Sequence, residues 1–157
     1  MTTKKPGTTV SLTLLVDAPA GIVWKALVDP KLVGQYMLAT PCCAIERGKE
    51  IKWFARKEDG GALLAKGMIL AVQPSERLRF TTYAPSSKLP DEPASHTTVD
   101  VHLVPETEKR TRVELWQGDF AGLPQDVRRA REAGRQWVEQ LVGLKRVAEE
   151  IDRAMAA

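Results

Sequence analysis

The sequence is poor in the residues that usually carry chemistry. Its 157 residues hold only two cysteines and two histidines. The cysteines, Cys42 and Cys43, are neighbours, and a disulfide between adjacent cysteines strains the peptide that joins them. Two reduced thiols are expected, one facing the core and one not, as fits a cytoplasmic protein. His96 and His102 lie far from them, so there is no zinc-ligand spacing and no metal is expected. No glycine-rich phosphate loop precedes a helix. Ser86 and Ser87 follow Pro85 without a glycine-framed turn, which excludes the usual hydrolase nucleophile. No cofactor motif remains. An excess of one charge is also missing. Lys and Arg number 23 against 20 Asp and Glu, for a net +3. Basic residues alternate with acids on the last helix, so nucleic acid is not an expected partner. No stretch approaches the roughly 18 apolar residues of a membrane span. Met1 to Thr9 carries Lys4 and Lys5 with no apolar segment of signal-peptide type after them, and residues 1–8 read as a flexible, frayed arm.

What is present is 43% apolar sequence, enough for one globular domain over 1–157 with a full core. From Pro124 to Met155, Trp137, Leu141, Leu144, Ala148, Ile151 and Met155 fall in one arc at about 100° per residue. Arg128, Arg135, Glu139, Arg146 and Glu150 fall opposite. This predicts a long amphipathic helix laid against something, with Gly134 its weak point.

Most of the preceding chain alternates with period two. Thr9 to Val16 places Val10, Leu12, Leu14 and Val16 on one face. Asp17 or Ala18 caps a short helix with Pro19 in its first turn, burying Ile22, Val23, Ala26 and Leu27. Asp29-Pro30 ends it and opens a second, to about Met37. Thr40-Pro41 breaks the chain. Strands are expected at Cys42 to Glu46, Glu50 to Arg56, Leu63 to Val72, Arg77 to Tyr83, Thr97 to Val104 and Thr111 to Gln117. Gly67 inside the third of these suggests a bulge or bend. Ala84 to His96, with Pro85, Pro90 and Pro93, reads as a hairpin loop or lid. The fold class is therefore α+β: a curved antiparallel sheet of about seven strands wrapped on a long C-terminal helix, with two short helices after strand one. A helical elbow that props one end open leaves a cavity between helix and sheet.

This order resembles the START-like helix-grip (SRPBCC) superfamily, which includes the birch-pollen allergens and polyketide cyclases. Within it the sequence is most similar to bacterial homologues of the heat-shock-protein-90 ATPase activator. The resemblance rests on Val23 to Pro30, Gln35-Tyr36 with Thr40, and Gly48 with Trp53. It continues through Lys66-Gly67 to Pro74 and Leu78, Thr111 to Gly118, and Trp137, Leu141 and Gly143-Leu144-Lys145. The chain departs from the pattern at Cys42-Cys43-Ala44, where this group more often has a polar or aromatic stretch.

The superfold hosts ligand carriers, enzymes and co-chaperone domains. The expected function is binding of a small hydrophobic molecule in an internal, mostly apolar cavity, by a monomer or homodimer. Candidate ligand-binding residues are Trp53, Phe80, Trp137 and Leu141, with Tyr36 and Met37 at the mouth. No catalytic residue is assigned. A cyclase- or hydrolase-type enzyme would need an inward acid, base or tyrosine pair, for which only Tyr36 stands out. A chaperone-associated or self-associating module would instead show a filled core and an exposed apolar patch. Trp116 could form that patch, since it shares parity with Arg112 and Glu114, unless a bulge near Gly118 turns it inward. Trp24 reads as core. Asp100 and His102 read as a surface pair.

Overall fold

A computed structural model describes residues 5–37, 39–42 and 44–156. Seven strands form one antiparallel sheet: β1 (Val10–Val16), β2 (Ala39–Pro41), β3 (Glu50–Ala55), β4 (Leu63–Gln73), β5 (Arg77–Thr82), β6 (Thr97–Thr107) and β7 (Arg110–Gly118). Their spatial order is β1-β7-β6-β5-β4-β3-β2. Between β1 and β2 come α1 (Ala20–Val28) and α2 (Pro30–Val33), and the chain closes with α3 (Asp126–Ala156). The α+β helix-grip architecture expected from the sequence is the one observed.

The alternation read in the sequence sets which face of each strand is buried. Ile51 and Trp53, Leu78 and Phe80, Val99, Val101 and Leu103, and Val113 and Leu115 all point inward. Trp116 lies on the outer face, paired across β6 and β1 with Asp100 and Ser11. It is half-buried, and its ring lies so close to Gly118 that a Cβ there would sit 3.1 Å away. Asp100 accepts two hydrogen bonds from Arg77, at 2.7 and 3.0 Å, with His102 3.2 Å away. Burial pushes its carboxyl up, but the Arg77 hydrogen bond and the charges of His102, Arg77 and Arg79 outweigh this and hold it below the usual range.

Two expectations need correction. The short strand placed at Cys42 to Glu46 lies at Ala39–Pro41 instead, and residues 44–46 carry no strand. Pro41, read as a breaker, ends β2, the edge strand of the sheet, where its missing N–H removes no bond from an interior ladder. Cys42 is exposed beside it, and Cys43 lies outside the described residues. The second elbow helix stops at Val33, and residues 34–37 form a turn. Residues 1–4 of the expected arm lie outside the described residues, and residues 5–8 lie against the start of α3. Thr8 is buried, and the Lys5 ammonium lies 2.9 Å from the Asp126 carboxylate at the start of α3. The Lys5 hydrogen bond, with backbone N–H groups of Val127 and Gly122, holds Asp126 below the ordinary carboxylate range.

Helix α3 buries Ala130, Leu141, Leu144, Val147 and Ala148. It packs on β1 and α1, and Met155 at its end is 72% exposed. The elbow approaches α3 so closely at Gly143 that a Cβ there would stand 2.5 Å from the Tyr36 Cβ. Leu141 is 5% exposed in this core. Leu141→Ala should destabilise the protein by about 2–5 kcal/mol. Arg146→Ala, at an exposed site, should change stability by less than about 0.5 kcal/mol. Denaturant melts showing equal effects would mean that the packed face of α3 is misassigned.

Candidate functional site

Between the concave face of the sheet and the N-terminal half of α3 lies a groove of about 960 Å³. Its floor comes from inward strand positions: Trp53, Ala65, Leu78, Phe80, Val99 and Val101. The Trp53 and Phe80 rings lie 6.2 Å apart and tilted by 40°. Ala133 and Trp137 face them from α3, and Leu27, Tyr36 and Met37 contribute from the elbow.

The exposed lining residues locate the mouth. They are Leu64, Ser86, Gln125, Arg128, Glu132, Arg135, Gln136 and Glu139. The opening therefore runs between α3 and the loop 84–96. Tyr36 and Met37, expected at the mouth, are half-buried and buried and sit deeper. The rim of the mouth is charged. Arg135 donates to Glu132 at 2.7 Å, and that bond holds the Glu132 carboxyl below its usual range.

The loop 84–96 is anchored at both sides of the mouth. Asp91 is ion-paired with Lys66 of β4 and lies 3.1 Å from His96 Nε2. The Lys66 hydrogen bond, more than the His96 one, keeps the Asp91 carboxyl below the ordinary range. The His96 ring stacks on Tyr83 at 5.2 Å, and the Tyr83 hydroxyl donates to the Leu89 carbonyl at 2.7 Å. On the other side, Arg129 of α3 donates to the Ser87 carbonyl at 3.2 Å.

Of the residues expected to contact a ligand, Tyr36, Met37, Trp53, Phe80 and Trp137 are brought together along the groove. Leu141 is not among the lining residues; it lies in the core beyond the end of the groove. One helical turn separates it from Trp137 and rotates it by about 40° away from the groove side.

Tyr36 has a structural task. In α1 the Ala26 carbonyl would accept a bond from residue 30, but that residue is Pro30 and has no N–H. The Tyr36 hydroxyl donates to this carbonyl at 2.9 Å. Burial pushes the phenol pKa well above its normal value, so it stays protonated. Tyr36→Phe should cost about 1 kcal/mol, read as a lower denaturation midpoint. An unchanged midpoint would show that the Ala26 carbonyl is satisfied in another way.

A polar cluster in the floor was not anticipated from the sequence. Trp137 Nε1 donates to Gln117 Oε1 at 2.7 Å, and Gln117 Nε2 donates to Thr97 Oγ1 at 3.0 Å. Thr97, Gln117 and Ser95 are 5%, 6% and 7% exposed and all line the groove. The signal was available in strand parity. Gln117 continues the inward series Val113, Leu115, and Thr97 precedes the inward series Val99, Val101, so both are polar residues at core positions. Among the described residues, no group of three or more His, Cys, Asp or Glu could hold a metal ion, and no helix is long and apolar enough to cross a membrane.

Solved structures share this architecture. Protein MLL2253 from Mesorhizobium loti superposes with a TM-score of 0.73 at 22% identity, over 92% of this chain and 98% of that one. The solution structure of ChR145 from Cytophaga hutchinsonii gives 0.71 at 23% identity, over 95% and 97%. DynU16, a protein in the dynemicin biosynthetic locus, gives 0.73 at 22% identity over 92% of this chain, which spans 48% of that protein. At these identities the likeness is one of fold. No curated protein matches the sequence. Residues 17–149 match the family described as Activator of Hsp90 ATPase homolog 1-like protein, and over that span the chain belongs to this family.

Proposed function

We propose that this protein binds a small hydrophobic molecule in the groove between the sheet and α3. The observation that carries the reading is the groove itself. About 960 Å³ of space lies over an aromatic and aliphatic floor, within the size range of small-molecule sites. Burying a flat apolar ligand there gains about 25 cal/mol per Å² removed from water. The Trp53–Phe80 pair offers ring faces and edges for such a ligand, and Trp137 closes over it from α3. DynU16 comes from a biosynthetic locus, which is consistent with a fold used around small organic molecules.

Two observations favour binding over catalysis. The Tyr36 phenol is engaged with Ala26 and kept protonated, so it is a poor base. The carboxylates on the groove, Glu132 and Glu139, are exposed at the rim rather than inside. An interaction module with a filled core fits less well with a groove of this volume.

The test is a titration with N-phenyl-1-naphthylamine, an uncharged dye that brightens in apolar surroundings. Saturable one-to-one binding with quenching of tryptophan emission is expected. Trp53→Ala should weaken it with the fold intact. If this dye and a broad lipophilic panel give no saturable binding, the carrier reading fails.

A further inference from the structure

We infer that the part of the groove floor around Thr97 and Ser95 is a hydrogen-bond-donating pole that selects hydrophobic molecules carrying an acceptor oxygen such as a ketone. The inference rests on the binding reading above and goes beyond it by naming the chemistry of the ligand.

An indole N–H can only donate, so the Gln117 atom 2.7 Å from Trp137 Nε1 is the amide oxygen. This fixes the amide, which places its nitrogen toward Thr97 Oγ1 at 3.0 Å. An amide nitrogen also only donates, so the Thr97 oxygen is the acceptor. The Thr97 hydroxyl hydrogen must then point elsewhere, and among the described residues none accepts it. Ser95, two residues earlier, is likewise buried and lines the groove, and no described residue bonds to its hydroxyl.

Two donors therefore face a space whose other walls are Trp137, Phe80 and Val99. In the empty groove, water can satisfy them. A pure hydrocarbon seated there would displace that water and leave buried donors unpaired, which is unfavourable. A ligand with a carbonyl oxygen at this pole would replace the water and keep the bonds. The discrimination resembles that of sites built to bond a substrate oxygen, which reject the analogue lacking it. Gln117 has both ends of its amide engaged by Thr97 and Trp137. It is a positioning residue that turns the Thr97 hydrogen toward the groove.

The test compares 9-fluorenone with fluorene, which share a flat three-ring shape and differ by one carbonyl. Equilibrium dialysis should show the ketone binding about two- to tenfold more tightly to the wild type. Thr97→Val, nearly isosteric, removes one of the two donors and should narrow the preference by lowering fluorenone affinity, and Thr97→Ser should restore it. A thermal melt checks that each variant folds. If Thr97→Val does not fold, the wild-type comparison decides alone. Equal wild-type affinities for the two probes would overturn the donor pole while leaving the binding groove standing. A preference undiminished in Thr97→Val would overturn the assignment to Thr97. Failure of both probes to bind would instead count against the groove as a ligand site.

Discussion

Gly67→Ala should lower stability by about 3 kcal/mol or more and disrupt the pairing of β4 with β5. A Cβ at this position would lie 1.7 Å from the Thr81 carbonyl oxygen and 2.5 Å from its carbon. Both are backbone atoms, so no side-chain rotation relieves the clash. The two strands would have to separate where Lys66 and Tyr83 exchange their backbone hydrogen bonds at 2.8 and 2.9 Å. These bonds hold the strand ends that carry Lys66, the anchor of the loop 84–96. The consequence should therefore reach the mouth of the groove as well as the sheet. Gly134→Ala is the control. There a Cβ meets only Val10 methyls at 3.7 and 3.8 Å, so the methyl fits and helix propensity gains up to about 1 kcal/mol. Circular dichroism melts of the two variants should move in opposite directions. A Gly67→Ala protein as stable as wild type would show that β4 and β5 are not packed as described.

The second large effect concerns binding. Ala133 lies on the groove side of α3 and is half-buried. Ala133→Trp should place an indole in the space facing the Trp53–Phe80 pair. Affinity for N-phenyl-1-naphthylamine should fall by at least about tenfold, because the ligand and the new ring compete for one volume. Stability should hold or rise, since the new side chain fills a groove rather than crowding a packed core. Fluorescence titration and a thermal melt on the same sample separate the two effects. Unchanged affinity would place the dye elsewhere on the molecule.

Much of this architecture was legible in the sequence, because period-two alternation and the apolar arc of α3 report directly on burial. Ile51 with Trp53, and Val113 with Leu115, face inward as their parity requires. Gly67 stands out inside its strand, though its cause is a close backbone approach that no local pattern reveals. Pro41 reads locally as a breaker, because being last on an edge strand is a property of the whole sheet. The site was harder to read. A helical wheel separates apolar from polar, but it cannot tell the open surface from the rim of a groove. Arg128, Arg135 and Glu139, read as a solvated face, rim the mouth. Leu141, read as cavity wall, belongs to the core below it. The buried Gln117 and Thr97 were the visible clue, since polar residues at inward positions need partners.

The central claim is that the space between sheet and helix is a ligand site. The most direct measurement is a crystal structure of the protein grown with saturating N-phenyl-1-naphthylamine. The account predicts one probe molecule lying between the Trp53–Phe80 pair and Trp137, with α3 and the sheet otherwise unmoved. A groove without the probe, or a probe bound only to the outer face of the sheet near Trp116, would contradict it.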